Sequence, residues 1–328
     1  MTAWALHKGS RTMRSMEMEH FCAASRVMIV AGKGGVGKTT VTAVIAVAAA
    51  RAGASVLIVE IEGKSGLARC FAAPPLEYGE AQLQPRIRAR TLTPDEALLE
   101  YLEDRGLRRI SKRLVRSGAL DVVATAVPGM QDILVLGKVK QLEQAATADL
   151  ILIDAPAAGH TVSFLQSPRG LLDAVRVGPV HAQANDVAEM LADPNRCRVV
   201  LVTHAEETPV NELVDTAFAL EERVGVHLGP IVVNAFPTDP GPLVPIAADA
   251  RLLGIDIPTA DVVALDAAAE FRRDRHELAR GHADRLARSL PLPQLRLPFE
   301  YPEIGPAEVD RLADALTRGV AMLPEPRP

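Results

Sequence analysis

Aromatic residues make up only 3% of this 328-residue chain, so its core must be built from Ala, Val, Leu and Ile. Cysteine is rarer still. Cys22, Cys70 and Cys197 stand far apart with no CxxC pair, which excludes a disulfide framework or a zinc site and fits a reduced, cytoplasmic setting. Long apolar runs are missing: the best, VTAVIAVAAARAGA at 41–54, is interrupted by Arg51 and too short to span a bilayer. A basic excess is missing too. The formal net charge of −5 argues against a nucleic-acid partner, which needs a positive footprint. Residues 1–25 hold four of the eight methionines and no sustained apolar stretch. They read as a disordered extension and not a signal peptide, with Met16 or Met18 as alternative starts.

What is present is 48% hydrophobic residues in a repeating texture. RVMIVA (26–31) is a β-branched run that ends at a glycine loop, and TTVTAVIAVAAARA (39–52) follows as an Ala-rich helix stopped near Gly53. ASVLIVEIE (54–62), ADLILIDAP (148–156), CRVVLVTHA (197–205), GPIVVNAF (229–236) and PQLRLPF (293–299) are further strands separated by helical stretches. That alternation predicts an α/β fold, a doubly wound and mainly parallel sheet of the P-loop type covered on both faces. No linker run and no internal repeat divides residues 26–328, which read as a single domain. Two stretches break the rhythm and are taken as helical insertions, at about 72–145 and 260–290. The first contains TPDEALLEYLEDRG (93–106), which opens on a capping box from Thr93 to Glu96.

The loop AGKGGVGKTT (31–40) fits two phosphate-binding patterns. As Gly32-x-Gly34-x-x-Gly37 it is a dinucleotide fingerprint, with Glu60 and Glu62 near the spacing of a ribose-binding acid. That reading leaves Lys38, Thr39 and Thr40 unexplained. As Gly32-x-x-x-x-Gly37-Lys38-Thr39 it is a P-loop. Backbone N–H groups of Lys33, Gly34, Gly35, Val36, Gly37 and Lys38 then cradle phosphates at a helix N-terminus, Lys38 reaches the β/γ oxygens, and Thr39 ligates Mg²⁺. The P-loop also requires a later apolar strand ending in Asp, and LILIDAP supplies Asp154, placed to hold the metal through water.

Lys33 belongs to neither pattern. With it, KGGVGKTT resembles the deviant Walker A ATPases, and DAPAAGHTVSFLQSP (154–168) resembles the second switch of one branch, the arsenite-pump and tail-anchored-protein-targeting ATPases. Gly159, His160 and Thr161 match that switch. Glu206 of EETPVNEL matches a nucleotide-contacting Glu, Asn234 of IVVN an adenine-reading Asn, and Pro298 of LPFEYPEIG a base-flanking position. The resemblance covers about 26–320 and is closest to actinobacterial homologues of the targeting ATPase. It implies ATP and Mg²⁺ as cofactors, and catalytic roles for Lys33, Lys38, Glu62 and Asp154. It also implies a dimer in which Lys33 reaches the nucleotide of the facing subunit, with itself or with a paralogous ATPase.

Three departures stand out. The first switch reads EGKSGLAR (62–69), so the family's water-activating Asp is matched by Glu62, whose extra methylene moves the carboxylate. The zinc-binding CxxC of eukaryotic members is absent, and 72–145 holds only Met130 where client-binding helices are Met-rich. The function expected is ATP-driven switching in membrane-protein targeting or chaperone-like work, cytoplasmic or peripheral at the membrane, with hydrophobic or membrane-protein clients. Alternatives are an arsenite pump-driving subunit, which would need the three cysteines gathered, a partitioning-type DNA-associated ATPase, and an ATP-binding scaffold. Arg105, Arg108, Arg109, Lys112, Arg113 and Arg116 form a basic stripe read chiefly as a solvated face. The last helix, with Val309, Leu312, Leu316, Val320 and Leu323 on one side, is expected to pack on the core.

Overall fold

Val27–Gly32 carries no charge and is buried along its whole length, as a strand covered on both faces must be. It is β1 in a computed structural model that describes residues 17–61, 66–104, 129–156, 158–241, 246–301 and 303–324. Glu62 and the basic stripe from Arg105 to Arg116 lie outside the described residues. In chain order the first elements are α1 (Met18–Ala23), β1, α2 (Lys38–Arg51), β2 (Val56–Ile61), α3 (Gly66–Cys70), β3 (Ala81–Gln84), β4 (Ile87–Leu92) and α4 (Pro94–Asp104). Then come α5 (Met130–Gln144), β5 (Leu150–Asp154), α6 (Ala158–Ala174), α7 (Pro179–Ala192), β6 (Cys197–Thr203) and α8 (Glu207–Ala219). The chain closes with β7 (Ile231–Phe236), α9 (Ile246–Leu252), α10 (Thr259–Ser289), β8 (Gln294–Pro298) and α11 (Pro306–Ala321).

The eight strands form one sheet in the order β3-β4-β2-β5-β1-β6-β7-β8. Every pairing is parallel except that of edge strand β3 with β4. The expected doubly wound α/β sheet is therefore present. Alternate residues feed opposite faces. Val27, Ile29, Leu57, Val59, Ile151 and Ile153 face a layer that includes α5, α6, α7 and α8. Met28, Val30, Val56, Ile58, Leu150 and Leu152 face α2 and α11.

α2 is buried almost all round because it lies between the sheet and α11. The expected apolar stripe of α11 is its buried face: Val309, Leu312, Leu316 and Val320 are buried in the same cluster as α2. Each such side chain contributes about 1.5–3 kcal/mol of burial free energy. The acidic side of α11 is not idle. Arg51 at the end of α2 pairs with Asp310 at 2.7 Å and Asp314 at 2.8 Å.

Two boundaries differ from the sequence reading. The extension assigned to 1–25 stops short of residue 25, because Met18–Ala23 forms α1 and buries Met18, Phe21 and Cys22 against α2 and α11. The insertion at 72–145 is not wholly helical either. AQLQPRIRARTL folds as the β3–β4 hairpin at the sheet edge, turning at Arg86 with φ 67°. Arginines masked its alternation: Ile87 and Ala89 are fully buried, while Arg90 stacks its guanidinium 4.3 Å from the Tyr78 ring. At the expected capping box the Glu96 backbone N–H donates to Thr93 Oγ1 at 3.4 Å, and that hydroxyl donates to the Glu96 carboxylate at 2.8 Å. The second insertion is one 31-residue helix, α10, preceded by the short α9.

Candidate nucleotide-binding site

β1 delivers the chain into the glycine loop, and two neighbouring strands fix the loop's path. A Cβ at Gly32 would run into the carbonyl oxygen of Val202 on β6, and one at Gly37 into the side-chain amide of Asn234 on β7. Gly37 also takes φ 84°, a left-handed conformation that costs an L-residue about 1–2 kcal/mol. Val36 between them is buried, and its carbonyl accepts from Asn234 Nδ2 at 2.9 Å. Gly34 and Gly35 are left exposed at the tip. The result is a concave backbone ending at the N-terminus of a 14-residue helix, the arrangement that favours phosphate.

Charged and hydroxyl groups converge on this concavity. Lys38 folds back over the loop, and its Nζ donates to the Lys33 carbonyl at 3.1 Å. Thr39 Oγ1 donates to Asp154 Oδ2 at 2.6 Å, which ties the start of α2 to the end of β5. Asp154 is buried and aligned in register with Glu60 on β2, so two carboxylates end neighbouring strands beside Thr39. Thr40 is half-buried in the same first turn. Gly66, at the start of α3, lies against Thr39: a Cβ there would sit 3.4 Å from Thr39 Cγ2.

The segment expected to be the second switch follows β5 and leads into α6. Thr161 is fully buried, and its hydroxyl donates to the Pro156 carbonyl at 2.7 Å, anchoring the first turn of α6. Gly159 and His160 stand exposed on that turn. Lys33 stands apart from the loop's concavity. Its Nζ pairs with Glu212 Oε1 of α8 at 2.6 Å. Glu212 lies in the EETPVNEL stretch read for Glu206, but the sequence gave no reason to single it out.

The other predicted residues lie at the ends of β7 and β8. Register slips between Val233 and Phe236, and Ala235 takes φ 52°, an irregularity of the kind that re-aims a side chain beside a site. It turns Asn234 under the loop. Cavities of about 360 and 370 Å³ open beyond it. Glu206, at the N-cap of α8, borders the first, and Phe299 borders both. Pro298 ends β8 opposite Phe236; Phe299, one residue on, is the side chain that reaches the cavities. The cysteines are remote from one another's chemistry. Cys22 and Cys70 lie on the α2 side of the sheet and Cys197 on the other. Burial pushes their thiols up to about 12, about 11 and about 12.

Comparison with known proteins agrees with this geometry. Residues 25–178 match the family model of the anion-transporting ATPases. The chain is 35% identical over 223 residues to ATPase BagA of Mycobacterium tuberculosis, covering 64% of each chain. It is 29% identical over 145 residues to ATPase get3 of Schizosaccharomyces japonicus, covering 43% of each. Against the arsenical pump-driving ATPase of Acidiphilium multivorum it is 27% identical over 232 residues, 62% of this chain and 38% of the relative. The matched region thus spans less than two thirds of each of these relatives.

Proposed function

Because residues 25–178 belong to the anion-transporting ATPase family, we propose that this chain is a Mg²⁺-dependent ATP hydrolase that works as a two-fold dimer. Its switch motions would serve membrane-protein targeting or chaperone-like work. The observation that carries the reading is the Thr39–Asp154 hydrogen bond at 2.6 Å beneath a glycine loop crossed by Lys38. The residues fit the nucleotide: the loop is a cradle that a Cβ at Gly32 or Gly37 would fill, and the donor set is that of a magnesium phosphate site. Bound ATP would supply the phosphoryl group, and Mg²⁺ would neutralise charge on its oxygens.

The chain's own residues divide the remaining work. Backbone N–H groups from Lys33 to Lys38 hold phosphate oxygens. Lys38, now bonded to the Lys33 carbonyl, would hold phosphate, and Thr39 and Asp154, now bonded to each other, would hold the magnesium, Asp154 through water. Glu62 orients the attacking water, Gly159, His160 and Thr161 sense the third phosphate, and Asn234, Glu206 and Pro298 position the base and ribose. Lys33 leaves Glu212 to serve the facing subunit's nucleotide. Dispersal of the three buried cysteines over both faces of the sheet counts against the arsenite-pump alternative.

Among the described residues, no helix is long and apolar enough to cross a membrane. The test is ATP turnover with and without Mg²⁺ in the wild-type chain, Lys38→Ala and Thr39→Ala. Loss in both variants is expected, and full turnover in either refutes the assignment.

A further inference from the structure

Glu60 came forward in the sequence as a ribose-binding acid, and the P-loop reading leaves it without a task. Its place in the fold points away from a ribose. The cavities beyond Asn234 lie at the ends of β7 and β8, and β7 stands four places from β2 across the sheet. Glu60 is only 2% exposed. Ile58 and Val56, two and four residues before it on β2, belong to the α2-side core, and alternation turns Glu60 to the same face.

The same alternation lines up three polar side chains in one row. Asp154 follows Leu150 and Leu152 on β5, and Thr91 follows Ile87 and Ala89 on β4, all four apolar residues lying in that same core. Register sets Thr91 beside Glu60 and Glu60 beside Asp154, at a strand spacing of about 4.8 Å. All three are buried. Thr91 Oγ1 makes a long 3.4 Å contact to Glu60 Oε2 from the strand away from Asp154, while Asp154 accepts from Thr39 at 2.6 Å. Two buried carboxylates this close repel each other unless they share a proton or a cation lies against both. Packing alone would be served by a third apolar residue after Val56 and Ile58. The place for a cation is at hand: α2 packs on β4, β2 and β5 and brings Thr39, the expected metal ligand, to this row. β2 is one strand further than β5 from β1 and its loop, and it carries the longer acid.

We propose that Glu60 is a positioning residue for the magnesium ion, accepting from water of the ion's shell on the β2 side as Asp154 would on the β5 side. The inference rests on the magnesium site proposed above and adds a residue to it. Mg²⁺ gives up its waters reluctantly and keeps several of them, so buried acceptors around it hold the ion as surely as direct ligands do. Loss of such an outer partner lowers metal affinity about 10–100-fold.

Calorimetry of the full chain with a non-hydrolysable ATP analogue, once with Mg²⁺ and once with EDTA, tests the role. Glu60→Gln keeps the shape and removes the charge. With Mg²⁺ its affinity for the analogue should fall about tenfold or more. With EDTA it should hold or rise, because a negative charge near the phosphates is gone. A residue that serves packing alone shifts both affinities the same way. Glu60→Asp keeps the charge and withdraws it by one methylene, so it should bind more weakly than wild type with Mg²⁺ and equally with EDTA; it carries the test if Glu60→Gln does not fold. Parallel loss in the two conditions, or wild-type affinity with Mg²⁺, overturns the role of Glu60 and leaves the magnesium site standing. A wild-type chain that binds the analogue equally with Mg²⁺ and with EDTA overturns the site and the inference together.

Discussion

Replacing Glu212 with glutamine removes the charge that holds Lys33 within its own chain. The pair is 2.6 Å apart, with side chains 38% and 43% exposed. Full Coulomb attraction at that separation would be about 6 kcal/mol at an effective dielectric of about 20. Solvent screening and side-chain entropy offset most of this, leaving roughly 0.2–1 kcal/mol for a pair so exposed. One kcal/mol changes an equilibrium about fivefold. If Lys33 must leave Glu212 before it can act, Glu212→Gln raises steady-state turnover at saturating ATP and Mg²⁺ by up to about fivefold. The gain is largest at low salt and fades towards about 1 M, where the screening length is about 3 Å. Lys33→Met alone is slow, and adding Glu212→Gln to it changes nothing. Coupled-assay turnover over a salt series reads both effects. Equal or slower turnover of Glu212→Gln at low salt, or stimulation that survives Lys33→Met, refutes the reasoning.

Gly37→Ala meets a left-handed backbone and the Asn234 amide. It should cost about 2–3 kcal/mol and weaken ATP binding, as read by denaturant melts and calorimetry; unchanged stability would mean that the loop relaxes freely. The three thiols, pushed up to about 11–12 by burial, should resist alkylation at pH 8 in the folded chain and label only on unfolding. Arsenite should not stimulate turnover, and stoichiometric labelling without unfolding contradicts the burial. Burial opposes the charge on Glu100, but hydrogen bonds from Lys138 and Tyr78 outweigh it and hold the carboxyl below its ordinary value of 4.5. A depressed folded-state value stabilises above the unfolded value and is lost as pH falls through the folded one. Glu100→Gln should therefore flatten the loss of stability below pH 4.5, and parallel wild-type and variant profiles there would refute the assignment.

The parallel strands were legible because each is a short apolar run ended by a turn: five of the six expected strands lie within their predicted ranges, and β1 runs one residue further, to Gly32. β3 and β4 were not legible. Their inward positions alternate with arginines that reach back to Tyr78, Glu80 and Thr147, and such a pattern looks like a charged helix until the partners are in place. α1 was missed for a related reason: six residues with three buried side chains give no periodicity, and only α2 and α11 make the burial worthwhile. At the site, the glycines, Lys38, Thr39 and Asp154 share one motif grammar and were found together. Glu212 lies 179 positions from Lys33, and no local signal joins them. Phe299 was overlooked in favour of Pro298 because a one-residue choice at a strand end depends on where the sheet stops.

The clamp between α2 and α11 has a consequence for biosynthesis. The helix that opens at Lys38 is covered by one that opens at Pro306. At roughly 5–20 residues per second, synthesis leaves the first without its cover for about 15–50 s. During that interval a nearly uncharged Ala/Val helix and the sheet face beneath it have no permanent neighbour. That apolar surface stays open until α11 docks on α2. Docking of α11 closes that side of the helix whose N-terminus follows the glycine loop.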